Sequence, residues 1–443
     1  MVLLPVAGAW PQGAAYGPAQ GGGDQALFNE AGWKAFFADP RLQALIAQAL
    51  ANNRDLLVAT LNIEIARAGY RVSSAALLPQ VDAGASATVE HNPRDVSTTG
   101  YTTTTQRFDA NLAVTAFELD LFGRLHSLRQ QALEQYLATT EARSAAQIAL
   151  VAEVANAWIA LLADRRLLEL SERTAQSRER SLDLTERSAA RGIGTQVDVA
   201  QARGALETVR ATRQLYLRQV AQDRNALELL VGAPLDQQDL AAEAPLERVR
   251  VVEDLPVDLP SRVMLRRPDI AAAEHALLAQ NANIGAARAA FFPDISLTGA
   301  LGTASQNLGS LFLFGAWSFL PQVSAPVFDA GRNQASLDSA KASRDIAIAQ
   351  YEKAIQTAFR EVSDALAARG TLTAQLAAQQ AAVAANQEAW RLASARYERG
   401  VDSYLVVLDA ERNLFVAQQA EIVTMQARLA NFVNLYKTLG GGK

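Results

Sequence analysis

Cysteine is absent from all 443 residues. Disulfides, thiolate catalysis, Cys-ligated zinc and iron–sulfur clusters are therefore excluded. Histidine occurs three times, at His91, His126 and His275, in unrelated contexts. That argues against a His-based metal site or catalytic triad. Lysine is confined to Lys34, Lys341, Lys353, Lys437 and Lys443, and the net charge is −5. With no basic excess, nucleic acid is not the expected partner. No apolar run reaches the roughly 18–20 residues of a membrane-spanning helix. The best stretch, 148–163, is interrupted by Glu153 and Asn156, and 311–320 is too short. The first ten residues lack a basic start, and Pro5 breaks their apolar stretch, so they do not read as a signal peptide. The chain reads either as cytoplasmic or as an exported protein whose signal has been removed. If it meets a membrane, helices are not how it crosses.

Proline is missing from two long tracts. All 14 prolines fall within 5–93, 234–268 and 293–326, leaving 94–233 and 327–443 free of them. Pro costs about 3 kcal/mol inside a helix. Ala, the best helix former, makes up about a fifth of the chain. The two tracts therefore read as long helices. The first breaks at Arg191-Gly192-Ile193-Gly194-Thr195 and the second at Arg399-Gly400-Val401-Asp402-Ser403. Gly supplies the left-handed turn that ends a helix, and Thr195 and Ser403 suit the N-cap of the next. Each tract becomes a helical hairpin. Helices over 124–190 and 333–399 would each be roughly 100 Å long. The return helices, 195–231 and 403–438, are about half as long, and helices near 41–77 and 262–291 could stack on their ends.

The two hairpins are copies. Arg191-Gly192 and Arg399-Gly400 lie 208 residues apart, as do Gly123-Arg124 and Gly331-Arg332, and Gly232 and Gly440. A constant offset means duplication without net insertion. The chain divides into an N-terminal segment 1–40, a first repeat 41–233, a linker 234–261, a second repeat 262–439 and a tail 440–443. Each repeat reads helix–strand–strand–helix–helix. The strands are expected at about 81–90 and 107–118, then 294–303 and 316–327, where apolar and polar residues alternate or aromatics cluster. The Thr-rich stretch 97–105 joins the first pair as a loop. Period-2 segments of about 10 residues fit transmembrane β-strands, and also soluble hairpins packed on helices. Four strands are too few to close a barrel. In a membrane, open edges are not allowed, so several chains would share one barrel.

Several motifs carry a family resemblance. They include Phe117-Glu118-Leu119-Asp120-Leu121-Phe122-Gly123-Arg124, Leu265-Arg266-Arg267-Pro268-Asp269-Ile270 and Phe328-Asp329-Ala330-Gly331-Arg332. Tyr404-Leu405-Val406-Val407-Leu408-Asp409-Ala410-Glu411-Arg412 completes them, with Trp33–Leu42 and Ala49–Asn53 upstream. In this order, on a duplicated frame, the chain resembles the TolC-like outer-membrane factors, and among them the NodT-type lipoproteins of resistance–nodulation–division (RND) efflux pumps. The resemblance implies an α+β membrane protein. A homotrimer would form a 12-stranded outer-membrane β-barrel continuous with a 12-helix periplasmic α-barrel, with a mixed equatorial domain. It implies the exit duct of a tripartite multidrug efflux pump, with a periplasmic adaptor, an inner-membrane RND-type pump and outer-membrane lipid as partners, and no cofactor. Members of this branch begin with a lipidated cysteine. This chain has none, so the implied native anchor would have been removed or replaced.

By the same resemblance, Leu405, Asp409 and Arg412 form the channel constriction. Their i, i+4, i+7 spacing independently puts them on one helix face. A ring of Asp409 side chains in a narrow neck would favour cations. Otherwise Asp409 and Arg412 are an ordinary solvated i, i+3 pair, worth a few tenths of a kcal/mol. Asp198 is a second gate candidate near the tip. The turns Arg191, Gly192, Ile193, Gly194, Thr195 and Arg399, Gly400, Val401, Asp402, Ser403 are the expected adaptor-contact tips. Arg266-Arg267-Pro268-Asp269 reads as a helix start. Gly192-Ile193-Gly194 lacks the third glycine and the preceding strand of a dinucleotide site. No nucleophile–base constellation points to an enzyme. An adaptor protein would show one hairpin rather than two, and a coiled-coil scaffold would show no paired strands.

Overall fold

The structure is a computed structural model that describes residues 6, 10–16, 32–98, 100–235, 246 and 261–441. The expected segment 1–40, linker 234–261 and tail 440–443 lie largely outside the described residues.

In chain order the elements are α1 (Trp33–Phe36), α2 (Pro40–Asn52), α3 (Arg54–Ala75), β1 (Asp82–Asn92), β2 (Thr103–Glu118), α4 (Arg124–Ala190) and α5 (Gln196–Val231). A 3-10 turn at Ser261–Arg266 then leads into α6 (Pro268–Ala289), β3 (Asp294–Ser305), β4 (Gly315–Ser324), α7 (Arg332–Glu398) and α8 (Tyr404–Thr438). Helices α4 and α7 are 67 residues each, and α5 and α8 are 36 and 35.

The residues explain where the elements depart from the expected bounds. The helix expected over 41–77 breaks at Asn53, which is extended and caps α3: its Oδ1 accepts the Leu56 N–H at 2.9 Å. The helix expected from 262 begins at Pro268, where a missing N–H costs nothing. The expected loop 97–105 gives its last three residues to β2. Strand β4 stops at Ser324, ahead of Pro326, rather than at 327.

The chain forms two compact units. Unit 1 comprises residues 1–60, 142–271 and 352–443, and unit 2 comprises 61–141 and 272–351. They cut across the repeats, because α3, α4, α6 and α7 each contribute to both.

Unit 1 is built on the buried side chains Trp158, Ile159, Leu161, Leu227, Ile355 and Leu435. Helix α4 has a window long and apolar enough to cross a membrane, and half of that window is buried within the protein. In both repeats the return helix ends on the start of a shorter one. Asn53 Nδ2 donates to the Leu230 carbonyl near the end of α5 at 2.9 Å. Arg267 Nη1 donates to the Thr438 carbonyl at the end of α8 at 3.0 Å. The same guanidinium reaches Asp269 at 2.7 Å and Glu361 at 2.9 Å, so Arg267 ties α6, α7 and α8 together. Gly232, at φ +74°, leaves no room for a side chain: a Cβ there would sit 2.6 Å from the Asn52 carbonyl.

Unit 2 holds one antiparallel sheet in the order β1-β2-β3-β4. The register puts Val89, Leu112, Leu301, Trp317, Phe319 and Val323 on one face, all more than half exposed. The other carries Glu90, Arg107, Asp109, Asn111, Thr298 and Gln322, with Leu320 as an apolar exception. A β-bulge between Val114 and Phe117 lets both stand on the apolar face, and Ala116 takes φ 50° within it. At Gly302 a Cβ would run into the Ala110 carbonyl, so only Gly lets β3 approach β2 there.

Candidate functional site: a gate and two hairpin tips

The sheet and the hairpin ends carry the surfaces that ordinary soluble packing does not explain. An exposed face of Val, Leu, Phe and Trp opposite a polar face is the pattern of a lipid-facing strand. Among the described residues, strands β1 and β4 are both edges, 11 and 10 residues long, each with a row of outward backbone groups that no second strand pairs. In hydrocarbon each such group costs several kcal/mol, so these edges demand partners from other chains.

At the first tip, Gly192 takes φ +74°, and the Ser188 carbonyl accepts N–H groups from Ile193 at 3.0 Å and Gly194 at 3.2 Å. This closes α4. Thr195 and Asp198 then form a capping box. Asp198 N donates to Thr195 Oγ1 at 3.2 Å, and Thr195 N donates to Asp198 Oδ2 at 3.0 Å. The Thr195 hydroxyl reaches the same carboxylate oxygen at 2.7 Å. Asp198 is thus engaged in starting α5. At the second tip, Gly400 takes φ +72° and Val401 N donates to the Arg396 carbonyl at 3.0 Å. Ser403 makes no side-chain cap. Instead Arg396 grips Asp402 with two hydrogen bonds of 2.6 and 2.9 Å, holding its carboxyl below the usual range. Ile193 and Val401 are exposed apolar residues, at 81% and 60%, and Ile193 is among the most exposed of all.

Helix α8 presents two faces. Leu405, Asp409 and Arg412 are exposed, and Arg412 Nη2 donates to Asp409 Oδ1 at 2.5 Å. The structure thus brings the three expected constriction residues onto one open face of unit 1. Tyr404, Val407, Glu411 and Phe415 form the buried face. Glu411 there is a charge that the sequence reading passed over. It lies 3.7 Å from Arg178 of α4, and their side chains are 8% and 5% exposed. Burial pushes the Glu411 carboxyl up and the Arg178 guanidinium down. The only available signal was the spacing 404, 407, 411, 415, which puts a Glu on an apolar seam.

A second polar feature joins α4 and α5. Asp164 and Asp223 meet as a carboxyl pair, and burial pushes Asp164 up to about 7, with Asp223 also raised. Among the described residues, no three His, Cys, Asp or Glu side chains converge as a metal site.

The comparisons with known proteins agree with one another. The family described as "Outer membrane efflux protein" matches residues 45–233 and 259–441. The toluene efflux pump outer membrane protein TtgC of Pseudomonas putida is 51% identical over 440 residues, 99% of this chain and 90% of that protein. The crystal structure of a membrane protein from Pseudomonas aeruginosa aligns with TM-score 0.91 and 43% identity, covering 99% of this chain and 95% of that one. The open state of the Neisseria gonorrhoeae MtrE outer membrane channel aligns with TM-score 0.88 and 38% identity, covering 99% and 96%.

Proposed function

The chain belongs to the outer membrane efflux protein family, and we infer that it is the outer-membrane exit duct of a tripartite RND-type efflux pump. It is a passive channel and catalyses no covalent step. The observation that carries this reading is the amphipathic four-stranded sheet with two open edges. Three chains supply twelve strands, which close into one barrel with a lipid-facing apolar surface and a polar lumen. The helices of the three chains form the periplasmic tunnel. Leu405, Asp409 and Arg412 narrow its end, and the tips at 191–195 and 399–403 meet the periplasmic adaptor.

The Asp409 carboxylates concentrate negative field in the neck and favour cations. The Arg412 pairs partly neutralise them and link neighbouring turns. Opening requires the adaptor and pump to displace this face of α8. The test is detergent extraction, mass measurement and planar-bilayer recording of the full chain. A detergent-requiring trimer with cation-selective conductance is expected. A water-soluble monomer would overturn the reading.

A further inference from the structure

We propose that Arg178 and Glu411 are positioning residues for the gate: this buried pair sets the rotation and register of α8, and so holds Asp409 and Arg412 where they narrow the neck. The proposal rests on the gate reading above and adds residues that do not line the exposed face.

The geometry is that of a joint between three helices. Arg178 leaves α4 and donates from Nη1 to the Ala205 carbonyl of α5 at 2.6 Å. Its Nε faces Glu411 Oε2 of α8 at 3.7 Å. Its guanidinium carbon stands 5.9 Å from the Phe415 ring centroid, also on α8. Ser177 lies beside the Glu411 carboxylate, and Ser181 beside Tyr404. Thus α4 meets α8 at two heights, about two turns apart along α8. Below and above the pair the contacts are apolar: Tyr404 and Val407 pack with Ala202 and Ala393, and Phe415 packs with Ala175, Leu206 and Val209.

Apolar seams tolerate sliding and repacking. A buried ion pair does not, because moving either member leaves an uncompensated charge. The joint is therefore the element that gives this seam a single register. Glu411 lies between Asp409 and Arg412 in sequence. At about 100° per residue, the gate face is turned roughly 100° from the buried seam on the same turns of α8. No rotation of α8 can carry the gate residues away without moving Glu411 against Arg178.

The pair is also not saturated. Among the described residues, Arg178 Nε is buried without a hydrogen-bond acceptor, while Glu411 stands just beyond bonding distance. A small displacement of α8 would complete that bond.

The experiment uses full-length trimers in planar bilayers, with trimer thermal stability measured on the same preparations. Arg178→Met and Glu411→Leu should each raise single-channel conductance about twofold or more, with cation preference kept, because Asp409 still lines the neck. The double variant should regain thermal stability, since a packed apolar pair replaces the buried ions. Its conductance should stay at the level of the single variants, neither restored nor summed. Glu411→Gln preserves shape and tests the charge alone, with a smaller rise expected. Restoration of wild-type conductance together with stability in the double variant would make the pair a folding element only. Wild-type conductance in folded single variants would overturn the proposal, as would additive increases. Asp409→Ala in the same series separates the two levels. If it opens the channel while the Arg178 and Glu411 variants do not, the joint fails and the gate stands. If it too is silent, both fall.

Discussion

The two hairpins share a frame of one length, yet they use their ends differently. Where the second has Leu405, Asp409 and Arg412, the first, 208 residues earlier, has Val197, Gln201 and Gly204. Where the second buries Glu411, the first has Arg203, which pairs with Glu186. Where the first joins Asp164 to Asp223, the second has Leu372 and Asn431. The first tip is self-contained, with Thr195 and Asp198 capping each other. The second is held by the Arg396–Asp402 ion pair instead. Duplication supplied the lengths and turns, and later divergence put the Asp409–Arg412 pair on one copy. Under the proposed gate, the barrier to flow belongs to the second hairpin, and the first serves as its support.

The sharpest way to break this comparison is at the gate. Asp409→Ala should raise single-channel conductance severalfold and reduce cation preference, because three carboxylates leave a confined section that salt screens poorly. Arg412→Ala should also raise conductance while keeping or strengthening cation preference. Gln201→Ala, at the matching place in the first hairpin, should change neither. A conductance change at Gln201 equal to that at Asp409 would mean that both hairpins carry the barrier.

The tips give the next largest effect. Gly192 and Gly400 have positive φ, and nothing lies within 4 Å of where a Cβ would stand. Valine at either position strains the backbone by about 1–2 kcal/mol without a clash. Gly192→Val and Gly400→Val should therefore weaken adaptor-dependent drug efflux strongly while lowering trimer thermal stability by only a few degrees. Susceptibility assays and thermal denaturation of the same variants decide it. Equal loss of both would make the glycines helix terminators and nothing more.

The Asp164–Asp223 pair separates the hairpins by pH. Its folded pKa is raised above that of the unfolded chain, so the native state binds the extra proton. Stability is then greatest at low pH and is lost as pH rises through about 7. Tyr216 of α5 also faces Asp164, and it stays neutral across this range. Wild-type trimer should melt lower at about pH 8 than at about pH 5.5 through this pair, by an amount on the order of 1 kcal/mol after solvent screening. Asp164→Asn should remove most of that slope. An unchanged slope would show that the two carboxyls titrate independently.

Much of this frame was legible in the residues. Helix lengths followed from where Pro is missing and where Gly recurs at a fixed offset, since both act locally on the backbone. Asn53 escaped notice as a helix break because, besides its local cap on the Leu56 N–H, its side chain is held by the Leu230 carbonyl, 177 residues away. The strand pairing, with its bulge at Val114–Phe117, depends on neighbours across the sheet, and alternation alone cannot fix it. The shared exposed face of Leu405, Asp409 and Arg412 was readable from spacing. The Arg178–Glu411 joint was hidden because Glu411 sits in a charged run, where a solvated side chain is the usual outcome. Asp198 has a local role that spacing also shows. Its Thr-x-x-Asp spacing is that of a capping box, and the structure commits its carboxylate to Thr195.

The smallest effect distinguishes the two caps. Thr195 accepts the Asp198 N–H through its side chain, whereas Ser403 makes no side-chain cap. Thr195→Ala should destabilise the start of α5 by about 1 kcal/mol, the usual loss for a capping residue. Asp198→Ala should cost a similar amount, because the Thr195 N–H loses its acceptor. The double variant should cost little more than either single one, since each already opens the box. Ser403→Ala should fall within about 0.5 kcal/mol of wild type. Hydrogen exchange at the first turns of α5 and α8 resolves such differences locally, where a whole-trimer melting temperature would average them away. Faster exchange confined to residues 196–199 in the Thr195 and Asp198 variants, with no change at 404–407 in Ser403→Ala, is the expected pattern. Equal fraying of both helices would show that the second tip relies on a side-chain cap after all, and that the two ends differ less than their hydrogen bonds indicate.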